Sequence, residues 1–569
     1  MTDRTPGGAG GATAPAYRLA DQLVEALFDN DPLFATMVGV RDRDALMPDL
    51  SAPAQQAAAD RLSRIADAAA GVPVSSADER VTRDVVAYAA AAEAERLRLA
   101  LVELTVSDLW VAPASAVFSF FPDIALPGPG EAAAYLRRLE AVPGYLEAAA
   151  ERHRAGTAAG RTAVRHLVAA ATTQLDRWLD GSERDPLTRN DPPDDWPGAG
   201  EFRTERARVV AEVVRPAVVR YRDALLTDLL PQARDADHPG LCWVPGGDEL
   251  YATLTRLHTT TGMAPRELHQ LGLDLMARLE EEYAEIGNRV FGTTDVPTVF
   301  RRLRDDPALR FRDPAEIVDA ATTAVRRAEG RAPDWFGRVP AQRCVVRPVP
   351  SEAEDHAPGA YYMPASLDGS RPGVYFINTS HATEQVRAGA EAVAFHEAVP
   401  GHHFQSQLLV ESGELPLLRR ILSLTAYDEG WGLYSERLAD EMGLYSDDLA
   451  RLGMLTADSM RAARLVVDTG LHALGWSRAR AVAYCRERTP MAHHDIEVEI
   501  DRYIADPGQA LAYMVGRLEI QRLRGEAERA LGERFDVRAF HDVVLGSGSL
   551  PLALLGELVA EWTAAADRS

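Results

Sequence analysis

Apolar residues spaced three and four positions apart recur through residues 16–340. Leu19, Leu23 and Leu27 fall on one face of a predicted helix, and another stripe begins at Leu268. Pro265 stands just before that stripe, where a proline suits the first helical turn. Stripes of this kind are typical of helices that face a core. We therefore predict a helical region that forms walls around a site located elsewhere in the chain.

A different pattern lies between Val339 and Asn378. Two short β-rich runs, Cys344–Val346 and Val374–Ile377, are separated by a segment rich in Pro and Gly. This pattern predicts a small sheet or hairpin near residues 340–380. Its exposed edge would either pair with an extended substrate or form a structural flap, and the sequence favours neither interpretation.

Helical spacing then returns, and the predicted helix at Glu384–Leu409 contains His396, Glu397, His402 and His403. His402 and His403 follow His396 by six and seven residues, so on a straight helix they are displaced from it by about 120° around the axis or about 10 Å along it. Neither placement suits one small ion.

Two residues between these histidines change the expected backbone. Pro400 removes an amide of the helix, and Gly401 allows unusual backbone angles. We predict a bulged or broken turn that returns one of His402 and His403 to the side of His396. The other would bond to a ligand or face substrate.

An acidic segment follows in the next predicted helix, Ile421–Met442. It reads Asp428, Glu429, Gly430 and continues to Glu436. Glu429 is preferred as a ligand because it leads the segment and Gly430 would let the backbone approach, whereas Glu436 would hydrogen-bond a ligand.

The residues together predict one zinc ion held by two histidines and a glutamate, with a fourth position open. The ligands would be His396, Glu429 and either His402 or His403. The competing interpretation is a buried histidine cluster whose hydrogen bonds are satisfied within a core helix.

The composition of the chain limits the classes of partner that it is expected to bind. The formal net charge of −24 disfavours nucleic acid and anionic membranes, and no apolar run is long enough to span a bilayer. The three cysteines are widely separated and form no CxxC pair, which predicts neither disulfides nor a thiolate metal site. We expect a cytoplasmic protein without nucleic-acid or membrane partners, and the oligomeric state is left open.

At 569 residues the chain exceeds the usual length of one domain. We predict a mostly α fold with two helical lobes around a deep cleft. Residues 16–340 would form the cleft walls and residues 341–569 the metal-binding catalytic region. Residues 1–15 are rich in Gly, Ala, Thr and Pro, which predicts a disordered tail rather than a signal peptide.

Several motifs resemble the bacterial domain-of-unknown-function 885 family, a set of zinc-metallopeptidase-like proteins. The resemblance extends from about Tyr17 to the C-terminus and implies a helical, deep-cleft fold akin to the oligopeptidases and gluzincins. Tyr362 lies in one of these motifs and is a candidate to contact a ligand or substrate. The matching stretches are His396–Gln405, Glu429–Glu436, Tyr361–Pro364, Arg464–His472, Arg502–Tyr513 and Gly548–Leu552.

Further candidates follow in the predicted helix Thr456–Leu474 and beyond it. Arg464, Asp468 and His472 are four residues apart and share one helical stripe. His472 would contact a substrate oxyanion, or Asp468 would orient a ligand histidine. Tyr503 and Tyr513 would hydrogen-bond a tetrahedral intermediate, unless they are core aromatics.

The predicted activity is hydrolysis of peptide or amide bonds in short peptides or small amide-bearing molecules. Glu397 would act as general base toward water activated by the metal. The alternative is a metal-dependent tailoring enzyme of specialised metabolism that runs a lyase, dehydration or cyclisation reaction. A third hypothesis, a binding protein without turnover, is disfavoured because Glu397 is retained.

Overall fold

Helices dominate the computed structural model, which describes residues 14–181, 185–193, 195–350, 354, 358–367, 371–413 and 415–568. The mostly α prediction is confirmed. Most of the tail predicted for residues 1–15 lies outside the described residues, and a helix begins at Pro15. Among the described residues, no helix combines the length and apolar character needed to cross a membrane.

The α-helices are numbered in chain order. They are α1 Pro15–Asn30, α2 Pro32–Met37, α3 Ala52–Ala70, α4 Ala77–Arg98, α5 Pro113–Phe120, α6 Pro129–Ala158, α7 Arg165–Asp180, α8 Ala199–Val209, α9 Arg215–Ala224, α10 Gly247–Thr259, α11 Pro265–Phe291, α12 Val296–Asp305, α13 Pro314–Trp335, α14 Ala390–Glu397, α15 His402–Glu411, α16 Leu417–Ile421, α17 Thr425–Glu441, α18 Asp448–Ala473, α19 Arg478–Arg488, α20 His493–Ala505, α21 Ala512–Leu531, α22 Val537–Leu545 and α23 Leu552–Arg568.

Local sequence explains where many of these helices begin. Pro265 opens α11 at the first helical position, as the sequence predicts. At other helices an Asp or Ser side chain precedes the first turn and accepts a backbone N–H that has no partner within the helix. These capping residues are Asp31, Ser51, Ser76, Asp295, Asp313, Asp447, Ser477 and Asp536.

Buried apolar side chains form two cores. The smaller core draws mainly on residues 106–233. The larger core combines residues 20–94 with most of the chain from Leu241 onward. The larger core crosses residue 340, the predicted boundary: α1 packs against α16, and Arg80 of α4 pairs with Glu561 of α23. The deep cleft stays a prediction.

The predicted small sheet is present and has three strands in the order β1–β3–β2. They are β1 Val345–Pro348, β2 Ala360–Met363 and β3 Val374–Ile377. β1 pairs with β3 in parallel, and β2 pairs with β3 in antiparallel orientation. The two β-rich runs are therefore neighbours in one sheet but do not form a hairpin, and β2 is a strand that the sequence analysis does not identify.

Candidate metal centre

The helix that carries the first histidine is interrupted before the second. α14 ends at Glu397 and α15 begins at His402, so Ala398–Gly401 separate them. The sequence predicts such a break from Pro400 and Gly401, and the structure contains it in place of one continuous helix over Glu384–Leu409.

Two contacts hold the break in shape. A Cβ on Gly401 would lie 1.8 Å from the carbonyl oxygen of His396, so this close return of the chain requires glycine. The indole Nε1 of Trp431 donates to the carbonyl of Pro400 at 2.9 Å, which ties the break to α17. As a result, the imidazole rings of His396 and His402 lie 4.7 Å apart, centroid to centroid.

Glu429 completes a three-residue cluster with these two histidines. One atom from each of His396, His402 and Glu429 lies within 4.8 Å of the others. Oε2 of Glu429 is 3.3 Å from Nε2 of His396 and 3.4 Å from Nε2 of His402. The histidine that returns to the cluster is thus His402.

These separations provide a test of zinc as the occupant. When ligand atoms lie about 2.0–2.1 Å from zinc, neighbouring corners of the tetrahedron are about 3.3 Å apart. The two distances from Glu429 Oε2 match that value. They are longer than the usual N–H···O hydrogen bond of about 2.9–3.0 Å. Two edges of the triangle therefore fit a tetrahedral zinc site, and the third, between the two histidine nitrogens, is within 4.8 Å.

The electrostatics of the cluster also suit a cation. Burial alone would raise the pKa of Glu429, but the facing histidines hold that pKa well below its ordinary value. Burial alone would lower the pKa of His396, but hydrogen bonds to Glu429 and Glu436 raise it to about 9. The pKa of His402 is raised by Glu429 as well. The cluster attracts positive charge, which protons or a metal ion can supply.

Glu436 lies behind the cluster. Its Oε1 is 2.8 Å from Nδ1 of His396, and its side chain is 1% exposed. A proton on Nδ1 that is donated to Glu436 leaves Nε2 with its lone pair toward the cluster. Gly432 contributes space, because a Cβ there would lie 2.8 Å from Nε2 of His396.

The neighbouring Asp428 is engaged elsewhere. It accepts from Nε2 of Gln405 at 2.6 Å, from the Ser423 hydroxyl at 2.7 Å and from the backbone amide of Leu424 at 3.1 Å. Burial raises the pKa of Asp428 to about 6. These three donors hold Asp428 as a link between α15 and α17.

Gly430 has a different role from the one predicted. The interpretation that it lets the backbone approach the metal is wrong. A Cβ on Gly430 would lie 2.5 Å from Cα of Gly516, so the pair of glycines allows α17 and α21 to pack closely. The close approach to His396 occurs two residues later, at Gly432.

His403 binds the sheet instead of the cluster. Its Nδ1 is 3.1 Å from the Tyr362 hydroxyl and its Nε2 is 3.2 Å from the carbonyl of Gln342. Burial lowers the pKa of His403 to about 4, so the ring is neutral and can accept from Tyr362 while donating to Gln342. A Cβ on Gly373 would lie 2.3 Å from the Tyr362 hydroxyl, which explains the glycine before β3.

Glu397 lies between the histidines and the sheet. Its negative charge raises the pKa of His396 and of His402, and also that of Tyr375 in β3. Within the described part of the chain, its half-buried carboxylate has no hydrogen bond or ion pair. It is therefore available to a small molecule at the cluster.

Asp468 and His472 form a separate buried network, which corrects the roles predicted for them. Asp468 accepts from the Tyr251 hydroxyl at 2.5 Å and from the backbone amide of Gly508. Nδ1 of His472 accepts from the amide of Leu241 at 3.1 Å, and its Nε2 is 2.9 Å from a backbone carbonyl in α20. These partners leave neither residue a bond to a ligand histidine or an oxyanion.

Tyr503 and Tyr513, the two tyrosines predicted to bind an intermediate, have different surroundings. Tyr503 is 2% exposed and its hydroxyl bonds to Arg464 and Glu499, so it is a core aromatic. Tyr513 is half-buried. Burial raises its pKa and the charge of Glu429 raises it further, which places the phenol near the cluster. The guanidinium carbon of Arg464 lies 4.5 Å from the centre of the Tyr513 ring.

Sequence reasoning missed four residues that shape this site. Gly432 accommodates the His396 ring, and Trp431 fixes the break. Gln342 binds His403, and Arg461 lies 3.8 Å from Glu436. The Gly-Trp-Gly sequence that follows Glu429 could have indicated Gly432 and Trp431. Arg461 precedes Arg464 by three residues and so extends the stripe already noted on α18.

The chain belongs to a family described as bacterial proteins of unknown function (DUF885), whose model matches residues 32–559. No curated protein matches it. The class that fold and sequence define is therefore a helical DUF885 protein with a His-His-Glu cluster.

Two solved structures are similar to the whole chain. One, from Colwellia psychrerythraea and described as a "putative lipoprotein", has a TM-score of 0.89 and 30% identity over 97% of this chain and 100% of its own. The other, from Shewanella oneidensis and described as a "putative lipoprotein of unknown function", has a TM-score of 0.73 and 17% identity over 96% of this chain and 100% of its own. The second supports the fold alone.

Proposed function

We propose that this protein is a zinc-dependent hydrolase of peptide or amide bonds. The observation that supports the proposal best is the convergence of two imidazole nitrogens and one carboxylate oxygen, from His396, His402 and Glu429, at separations of 3.3 and 3.4 Å. Two imidazoles and a carboxylate are a donor set that suits zinc, and three protein ligands leave a position for water or substrate.

Zinc held by this set supplies a Lewis acid for a carbonyl oxygen and makes water more acidic. Glu397 directly follows His396, and its carboxylate is not engaged by the described residues. It takes a proton from the attacking water and passes it to the departing amine. Glu436 keeps the His396 ring in orientation through the bond to Nδ1.

The substrates proposed are short peptides or small amide-bearing molecules. The Tyr362–His403 bond joins β2 to α15, so the sheet is held beside the helix that carries His402. An edge strand offers backbone groups that an extended peptide can pair with. This arrangement favours a peptide lying along β2, with its scissile bond toward Glu397.

A library of short quenched peptides tests the proposal. Zinc-loaded protein is expected to cleave several of them, to lose activity with a chelator, and to regain it when zinc is returned. Protein that holds one zinc ion yet cleaves none would contradict the hydrolase proposal and favour the alternative of a lyase, dehydration or cyclisation enzyme. The cytoplasmic location stays a prediction, since the word lipoprotein describes the two similar proteins.

A further inference from the structure

A group of charged side chains on α18 and α20 has more positive than negative charge. Nη2 of Arg464 is 2.8 Å from Oε2 of Glu499, and Nη2 of Arg502 is 3.1 Å from the same oxygen. Two guanidinium groups thus share one carboxylate, whose pKa they hold far below its ordinary value. An excess of one positive charge is left in this trio.

Two nitrogens of the neighbouring arginines also lack acceptors. Arg464 is 5% exposed and uses Nε and Nη2 for Tyr503 and Glu499, but its buried Nη1 has no hydrogen-bond partner among the described residues. Nε of Arg461 is also buried and has no hydrogen-bond partner in the described part of the chain. Buried donors of a charged group are costly to leave unpaired. Glu436, beside Arg461, has a buried Oε2 that is also unpaired among the described residues, so the donor for which these residues supply no nearby acceptor is Nη1 of Arg464.

Tyr513 connects these arginines to the metal cluster. Its ring centre lies 4.5 Å from the guanidinium carbon of Arg464 and 5.9 Å from that of Arg461. Nη2 of Arg461 is 3.8 Å from Oε1 of Glu436, the carboxylate that holds the first ligand histidine. The unpaired donors therefore lie in the layer of side chains that adjoins the cluster.

We propose that Arg464 and Arg461, whose guanidinium groups both lie near the Tyr513 ring, bind a carboxylate of the substrate. The inference rests on the proposed function, since it gives the hydrolase a substrate class: short peptides with a carboxylate close to the scissile bond. A guanidinium group donates charge-assisted hydrogen bonds to a carboxylate, and Nη1 of Arg464 is the donor left for such a bond. The carboxylate belongs either to the C-terminus of the peptide or to an acidic side chain.

Binding of matched zinc ligands tests the inference without turnover. The probes are the monohydroxamates of succinic, glutaric and adipic acid and the terminal amides of the same compounds, titrated calorimetrically into zinc-loaded protein. A charged hydrogen-bonded pair corresponds to an advantage of about 10-fold to 100-fold. We expect at least one acid to bind more tightly than its amide by that factor. Equal affinities at all three lengths would overturn the inference.

Substitutions of Arg464 test whether this residue causes the tighter binding of the acid. In Arg464→Gln the acid should lose its advantage while the amide binds as before, and Arg464→Lys should recover part of it. Arg437→Gln is the matched control, because Arg437 pairs with Asp458 and Glu282 instead. The assignment to Arg464 would be overturned if Arg464→Gln still bound the acid more tightly than the amide. It would also be overturned if Arg437→Gln lost this preference to the same extent.

Glu499→Gln provides a second route if Arg464→Gln does not fold. Removing the shared carboxylate frees Arg464, so the preference for the acid should increase. A merely structural role for Arg464 predicts no increase, and that result would count against the inference.

Competition against the hydroxamate that binds most tightly shows whether the carboxylate belongs to the C-terminus of a peptide or to an acidic side chain. The competitors are tri-alanine, tri-alanine amide, and the same amide with glutamate in place of the last alanine. Displacement of the hydroxamate by tri-alanine identifies a C-terminal carboxylate. Displacement by the amide that ends in glutamate identifies an acidic side chain, and displacement by neither peptide contradicts the inference.

The zinc content of the protein is measured before these titrations. A protein that binds no zinc contradicts both the proposed function and the carboxylate subsite. A protein that binds zinc but binds acid and amide equally contradicts the subsite alone.

Discussion

Two regions contain buried histidine near a carboxylate, but their hydrogen bonds are arranged in different ways: the candidate metal cluster of His396, His402 and Glu429, here called the metal cluster, and the α18 network of Asp468 and His472. In the α18 network, both ring nitrogens of His472 meet backbone groups, at Leu241 and Tyr503. In the metal cluster, Nε2 of His396 and Nε2 of His402 both point to one carboxylate oxygen. Convergence, rather than burial or residue type, separates a candidate ligand from a structural histidine.

The same contrast appears in the protonation of the two regions. Burial lowers the pKa of His472 to about 3, and the charge of a neighbouring arginine acts in the same direction. Burial also acts on His396, but the bonds to Glu429 and Glu436 outweigh it and raise the pKa to about 9. A histidine that faces two carboxylates is in surroundings that favour positive charge, whereas His472 is held neutral as a link between backbone segments.

Glu397→Gln should have the largest effect on turnover. The amide cannot take a proton from water, and general-base catalysis contributes about 10²-fold to 10⁴-fold. We expect a loss of that size with zinc content unchanged, measured as kcat on the best peptide together with metal analysis. Full activity in this variant would remove Glu397 from the mechanism.

Glu436→Gln should weaken zinc binding about 10-fold to 100-fold, since residues that orient a ligand histidine have effects of that order. His472→Gln is the comparison from the α18 network and should leave zinc affinity unchanged while lowering the free energy of unfolding by about 1–3 kcal/mol. Competition with a chromophoric chelator and denaturant titration measure the two quantities. A similar loss of zinc affinity in both variants would erase the contrast between the regions.

Asp468→Asn should have the smallest effect and should change pH dependence. Burial raises the pKa of Asp468 from 3.8 to about 7. Between these values the folded protein binds a proton more tightly than the unfolded chain, so its stability falls as the pH rises through this window. The variant should show a flatter dependence when unfolding midpoints are compared at the two ends of the window. An unchanged slope would show that Asp468 does not titrate there.

The local part of the site could be predicted from the sequence. Pro400 and Gly401 weaken a helix, and this favoured a break. The same Ala-Val-Pro-Gly sequence continues α6 at residues 141–144, however, so the break at Ala398–Gly401 also depends on tertiary contacts. Which histidine returns to the cluster did not follow, because Trp431 on another helix fixes the shape of the break. Adjacent residues leave a turn in different directions, and tertiary contacts place His402 at the cluster and His403 at the sheet, where Tyr362 and Gln342 bind it.

The longer-range contacts could not be predicted for a similar reason. The spacing of Asp468 and His472 shows that they share a helix face but not what covers that face, and Tyr251 and Leu241 come from segments more than 200 residues away. Likewise, Ala360–Met363 is a run of four residues whose strand character comes from pairing with β3. Periodicity predicts which positions are buried, whereas partners depend on the assembled fold.

We propose that His396, His402 and Glu429 hold one zinc ion and that His403 does not. His402→Ala and His403→Ala are adjacent, matched variants, and the zinc content of each is measured after dialysis against a weak chelator. We predict that wild type and His403→Ala retain about one zinc ion per chain and that His402→Ala retains almost none, because only His402 directs a nitrogen toward Glu429. Zinc retained in His402→Ala, or lost from His403→Ala in a folded protein, would contradict the account.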